Sequence, residues 1–258
     1  MTKISVILPN FNGSKYLEQA INSFLDQSYS FKELIIVDGK STDNSHQIIE
    51  KYAEENDHII WVKEEDKGIS NAFNIGLKYT TGDIVGYLGS DDIIYKELFE
   101  EIIYVDSWSL FDAVYFNSYT FYIKDKKCIL RKCPDLEFKL ENLLSYGTIV
   151  GWQNIYFKRE VYHRHKIDET NKTSMDYEFY LRICSNENLL FINADKVATI
   201  NIFDENISSD FNGNQLKEAK SVAKFYAEKA SYKGHLFGTP KIHTEKKSLI
   251  SSLKKIFR

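Results

Sequence analysis

Short, unbroken apolar runs recur through the first part of the chain, each followed by turn-forming residues and then by an amphipathic stretch. Ile4-Ser5-Val6-Ile7-Leu8 is the first run, stopped by Pro9 and the turn formers Asn10, Asn12 and Gly13. Leu17, Ala20, Ile21, Phe24 and Leu25 then recur at helical spacing, with Ser14 as the expected cap. Leu34 to Val37 reads as a second strand, after which Ser41-Thr42-Asp43 caps a helix whose apolar face includes Ile48, Ile49, Tyr52 and Ala53. Ile59 to Val62, Ile69 to Tyr79 and Ile84 to Leu88 read as strand, helix and strand. This strand-helix alternation predicts an α/β fold: a mainly parallel central sheet covered by helices on both faces.

Beyond residue 110 the pattern is less regular. Ala113 to Phe116 and Tyr119 to Ile123 read as two strands, Leu140 to Leu144 as a short helix, and Ile155 to Phe157 as a strand. Ser174 is placed to cap a helix that turns Phe179, Leu181, Ile183 and Cys184 toward the core, with Asp176 in its first turn.

Composition changes this picture only at its edges. The 258 residues, 43% of them hydrophobic, suffice for a substantial core. Cys128, Cys133 and Cys184 are odd in number and lack metal-ligand spacing, so a reducing compartment is expected and a disulfide framework is not. A net charge of -4 argues against general nucleic-acid binding. No amino-terminal apolar run has the length of a signal or a membrane span, which makes a cytoplasmic protein the expectation.

The chemistry collects at the carboxyl ends of the expected strands. The run ending in Ser90-Asp91-Asp92 places two adjacent carboxylates after a buried strand. Alone, that dipeptide reads as a turn or a helix cap. Yet the first strand ends at Pro9-Asn10-Phe11-Asn12, the second at Asp38-Gly39-Lys40-Ser41, and the third leads to Asp66-Lys67-Gly68, so all four edges converge on one crevice. Neither G-x-x-x-x-G-K-[ST] nor G-x-G-x-x-G is present, which favours a phosphate held through a metal over one held by backbone amides.

These segments, with Glu33 through Asp43, Asp66 through Asn74, and Thr81-Gly82-Asp83 through Asp92, agree in order and spacing with glycosyltransferase family 2, and over roughly the first hundred residues the chain resembles that family. The resemblance implies the nucleotide-sugar-binding fold called GT-A over residues 1–235. Within it, 1–110 form a nucleotide-binding half, 111–212 an acceptor half and 213–235 a helix, followed by a basic amphipathic tail over 236–258. It implies donor contacts at Pro9, Asn10, Asn12, Asp38, Asp66, Lys67, Gly68, Asn71, Asn74, Ser90 and Asp91. It also implies a divalent cation, Mn2+ or Mg2+, at Asp92 with Asp91, and a general base at Asp176. The implied reaction is an inverting transfer from a uridine diphosphate sugar to a glycan or lipid-linked acceptor in surface polysaccharide synthesis. Two positions depart from the family pattern: Ser90 stands where the metal motif often has its first acid, and Asn71 stands where relatives usually have one. Trp152, Gln153 and Tyr177 are candidates for the acceptor surface, since rings stack on sugars and amides read hydroxyls.

Other features are assigned more cheaply. His163 and His165 read as a solvated surface pair, and Phe203 to Phe211 lacks the glycines of a closing lid. The segment 241–258 carries six Lys or Arg against Glu245 alone, with Leu249, Ile250, Leu253, Ile256 and Phe257 on one helical face. That pattern suits an anionic membrane surface and would make the protein peripheral at the inner face of the plasma membrane. Two rival functions are a sugar-phosphate nucleotidyltransferase, which would carry a glycine-rich, arginine-bearing loop after the first strand, and a non-catalytic sugar-nucleotide-binding protein, against which an intact Asp91, Asp92 and Asp176 argue.

Overall fold

The computed structural model describes residues 1–105, 108–203, 214–237 and 244–246. Its frame is a run of parallel strands, β1 (Ile4–Pro9), β2 (Lys32–Val37), β3 (Ile59–Val62) and β4 (Ile84–Tyr87), in the spatial order β3-β2-β1-β4. The helices α1 (Ser14–Leu25), α2 (Ser45–Glu55) and α3 (Ile69–Leu77) connect them. Because side chains alternate across a strand, Ile4, Val6 and Leu8 of β1 face a core shared with α1 and α2, while Ile7 faces a second core shared with α3.

After β4 come β5 (Asp92–Ile94), α4 (Leu98–Ile103), β6 (Ala113–Tyr122), β7 (Lys127–Arg131), α5 (Leu140–Tyr146), a 3-10 turn at Trp152–Asn154, β8 (Ile155–Lys158) and α6 (Arg159–Arg164). The chain continues through α7 (Met175–Asn186), β9 (Phe191–Phe203), α8 (Asn214–Lys229) and β10 (Thr244–Lys246). β8 lies antiparallel between β4 and β6, β7 extends the sheet beyond β6, and β9 runs parallel to β6 while pairing with β5. Helices α5, α7 and α8 join α3 on one face of the sheet.

Four local expectations are corrected. The two strands expected at Ala113–Phe116 and Tyr119–Ile123 are one, because the polar pair between them is accommodated inside the sheet. Asn117 is buried, donates to Asp195 Oδ1 at 3.0 Å and accepts from the Cys133 N–H at 2.8 Å. Ser14 is the first residue of α1 and its side chain caps nothing; Asp43 does that work from the next crossover, accepting from the N–H groups of Ser14 and Ser45, both at 3.0 Å. Burial opposes ionisation of Asp43, but the hydrogen bonds from Ser45 and Ser14 prevail and hold its carboxyl at about 2. Ser174 likewise does not cap α7. Glu218 on α8 instead accepts from the backbone N–H groups of Thr173 at 2.7 Å and Ser174 at 3.1 Å, clamping the start of the helix that carries Asp176. His163 and His165 end α6 rather than occupying a loop, and His165 Nε2 lies 2.5 Å from Glu187 Oε1.

Glu33 ties the opposite end of the parallel strands together. It accepts from Ser5 Oγ at 2.6 Å, Thr81 N at 2.6 Å and Thr81 Oγ1 at 2.8 Å, and pairs with Lys3 Nζ at 2.5 Å. The Thr81-Gly82-Asp83 stretch therefore fixes strand register, far from the polar carboxyl ends.

The three cysteines are free. Among the described residues no helix is long and apolar enough to cross a membrane. Thr244–Lys246 form a strand against β7, where the tail was expected to be helical. The rest of the basic segment 241–258, including its apolar face, lies outside the described residues, as does the expected lid region apart from Phe203.

Candidate active site

The turn after β1 and the entry to α3 enclose a cavity of about 450 Å³ lined by Pro9, Asn10, Phe11, Lys40, Asp66, Lys67, Gly68, Ile69 and Ala72. Gly68 has φ +123, a region closed to most side chains, and its N–H reaches Asp66 Oδ1 at 2.8 Å. The floor is built on Asp38, which is fully buried. Its carboxylate accepts from Asn10 Nδ2 at 2.6 Å and Ser41 N at 3.0 Å, and lies 3.1 Å from His46 Nε2. With its oxygens so engaged, Asp38 organises the cavity from beneath and does not line it. Asn12 similarly binds the neighbouring crossover, accepting from Thr42 N and donating its own N–H to Ser41 Oγ, both at 2.8 Å.

Asn71 accepts from the N–H of the cavity-lining Lys67 at 3.0 Å, and both Asn71 and Asn74 reach the second half of the chain. Their side-chain amides each donate to Glu169 at 2.9 Å, and Asn74 also exchanges hydrogen bonds with the backbone of Ile167. They bolt α3 to the segment that leads into α7.

Gly13 joins the cavity to the acid pair. A Cβ at Gly13 would stand 2.2 Å from Asn10 Oδ1 and 2.8 Å from Ser90 Oγ, so the turn after β1 and the Ser90-Asp91-Asp92 loop meet there. Asp91 is half-buried and Asp92 is buried, its Oδ1 accepting from Asn201 Nδ2 at 2.8 Å across the β5–β9 pair. Neither has an ion-pair partner among the described residues. Burial, then the charge of Asp91, pushes the Asp92 carboxyl up to about 7 against the pull of Asn201, and burial raises Asp91 as well. No group of three His, Cys, Asp or Glu side chains suited to a metal occurs among the described residues. Two uncompensated carboxylates fit a hard divalent cation whose remaining ligands are oxygens from a diphosphate or water.

Asp176, in the first turn of α7, is half-buried and accepts from the Tyr177 N–H at 2.8 Å. A helix start favours a charged carboxylate, but burial is the larger effect and raises Asp176 above the usual carboxylate range. The phenol of Tyr87, at the end of β4, is held well above its ordinary pKa by burial and by the charges of Asp92, Asp91 and Asp176, in that order. All three carboxylates thus lie within electrostatic reach of this one hydroxyl.

Residues 5–174 match the family model described as Glycosyl transferase family 2. The chain belongs to that family. An uncharacterised glycosyltransferase of Nostoc sp. is 40% identical over 104 residues, covering 40% of this chain and 32% of the relative. The minor teichoic acid biosynthesis protein GgaB of Bacillus subtilis is 36% identical over 102 residues, 38% of this chain and 11% of GgaB. The chain thus matches well under half the length of either relative. The crystal structure of S. aureus TarS in complex with UDP-GlcNAc superimposes with a TM-score of 0.65 at 21% identity, covering 91% of this chain and 68% of that one, and shares the fold.

Two of the acceptor candidates are buried in the core. Trp152 is 4% exposed, stacked on Tyr87 at 4.8 Å and 10°, with its indole N–H on the Tyr162 hydroxyl at 3.1 Å. Tyr177 is buried, its hydroxyl donating to the Leu143 carbonyl at 2.8 Å. Neither ring has a face to offer a sugar; Gln153 is half-buried beside them. Conversely, Phe11, Lys40, Tyr87 and Asn201 belong to the site without having been singled out. Phe11 carried the one readable signal, an aromatic side chain inside a polar turn, and it is 65% exposed at the cavity.

The raised carboxyls make stability depend on pH. Because Asp91, Asp92 and Asp176 are harder to ionise folded than unfolded, they favour folding most at low pH, and that contribution is lost as pH rises through about 7 for Asp92. At pH 8 without divalent cations, Asp92→Asn is therefore expected to raise the melting temperature, with the gain shrinking toward pH 5; an equal gain at both pH values would contradict the assignment.

Proposed function

We propose that this chain is an inverting, cation-dependent glycosyltransferase that moves a sugar from a uridine diphosphate sugar to a glycan or lipid-linked acceptor of a cell-surface polysaccharide. What supports this reading is a nucleotide-sized cavity at the carboxyl ends of the parallel strands, with Asp91, Asp92 and Asp176 all acting electrostatically on Tyr87 at the end of β4. Membership of family 2 supports the reaction class, and the UDP-GlcNAc complex of TarS and the teichoic acid role in the name of GgaB support donor and acceptor classes.

In this reading the base enters the cavity between Phe11, Lys40 and the Asp66–Gly68 turn. Asp91 takes the ribose, and the diphosphate extends past Ser90 toward Asp92. The cation at Asp92 and Asp91 would neutralise the diphosphate as it leaves. Asp176 accepts the proton of the acceptor hydroxyl as that oxygen bonds to the anomeric carbon, opposite the departing nucleotide. Its raised pKa makes it a stronger base than an exposed aspartate, and one displacement needs no covalent enzyme intermediate. Trp152 and Tyr177 support this region from behind.

Screening nucleotide sugars by thermal shift with Mn2+ tests the donor class. Stabilisation by UDP-sugars above that by GDP- or CDP-sugars is expected; a preference for another base would replace the uridine assignment.

A further inference from the structure

Tyr87 ends β4, and its ring has no freedom to swing. Trp152 lies flat against it at 4.8 Å and 10°, Phe73 of α3 sits at 6.3 Å, and Trp152 is itself held by the Tyr162 hydroxyl. The ring is half-buried, and no protein hydrogen bond of the phenol is found among the described residues. One oxygen of each of two nearby carboxylates is engaged elsewhere, Asp92 Oδ1 with Asn201 and Asp176 Oδ1 with the Tyr177 N–H. A rigidly held hydroxyl without a partner, set where the acid pair and Asp176 both bear on it, has the character of a preorganised ligand donor.

We infer that the Tyr87 hydroxyl binds the sugar being transferred, donating a hydrogen bond to one of its oxygens. This rests on the donor reading above and adds a group that selects for the sugar, not for the nucleotide. The position supports it: the sugar of a nucleotide-sugar must lie between the diphosphate at Asp91–Asp92 and the base at Asp176. The chemistry supports it too. A phenol keeps its proton at neutral pH and so stays a donor, whereas a carboxylate there could only accept.

Tyr87→Phe keeps the ring, its stacking on Trp152 and its packing on Phe73, and removes only the hydroxyl. With Mn2+ present, calorimetry on the full chain compares UDP with UDP-GlcNAc and UDP-glucose as probes, alongside melting temperature and turnover measured as UDP release with acceptor. We expect unchanged melting temperature and UDP affinity, with the affinity of the preferred UDP-sugar relative to UDP, and kcat/KM, each falling about tenfold, the scale of one well-placed hydrogen bond. Unchanged sugar preference and turnover would overturn the inference. So would a parallel loss of melting temperature, UDP affinity and turnover, which marks a packing role. A wild-type protein that binds neither UDP nor these UDP-sugars overturns the donor reading itself, and this inference with it.

Discussion

Asp176→Asn is expected to cut sugar transfer by about a thousandfold, within the range of a lost general base, while UDP-sugar affinity stays within about twofold. The asparagine keeps the shape and can still accept from the Tyr177 N–H, so α7 and its clamp by Glu218 should survive. What disappears is a carboxylate that burial has made more basic than usual. The pH profile supplies the second arm: wild-type kcat should fall on the acid side with an apparent pKa above that of an exposed aspartate. Residual transfer in the variant should lose that limb. Full activity in Asp176→Asn would remove it from the mechanism and reopen the non-catalytic binding reading.

Asp92→Asn should abolish transfer at every Mn2+ or Mg2+ concentration tried, with the fold intact. The reason is electrostatic: Asp92 is buried beside Asp91 with no ion-pair partner among the described residues, so its charge is tolerable chiefly when a cation is present. The asparagine retains an oxygen for Asn201 and removes the repulsion, which is why stability at pH 8 should rise as activity vanishes. Asp91→Asn, at a less buried position, should weaken donor binding more mildly. Transfer by Asp92→Asn at the wild-type rate would show that no cation at this residue takes part.

The parts legible in the sequence were those set by local pattern. β1, β2 and β4 are short, mainly apolar runs buried along almost their whole length, and β3 at the sheet edge is apolar throughout. Their polar ends were equally readable, and Pro9, Asn10, Asp66, Lys67 and Gly68 from them line one cavity. Long-range pairing decides the remainder. Asn117 and Ser118 look like a break until Asp195 and Cys133 arrive to satisfy Asn117. Asp92 reads as a turn residue, yet it begins β5 because β9 pairs with it more than a hundred positions later. Capping by Ser14 or Ser174 was the local solution; Asp43 and Glu218, brought by tertiary structure, win. The same limit governed the aromatics. Trp152 and Tyr177 have the right chemistry for a sugar platform, and only packing reveals that the rings are covered while Tyr87, with an ordinary strand address, keeps a hydroxyl free of protein partners among the described residues.

The central claim is that the acid pair at the end of β4 holds a nucleotide sugar through a divalent cation. Titrating UDP into the wild-type protein calorimetrically at pH 8, with Mn2+ and with chelator, tests it most directly. Binding that requires Mn2+ and is lost in Asp92→Asn is the predicted result; UDP binding of equal strength with chelator, or none under either condition, would contradict it.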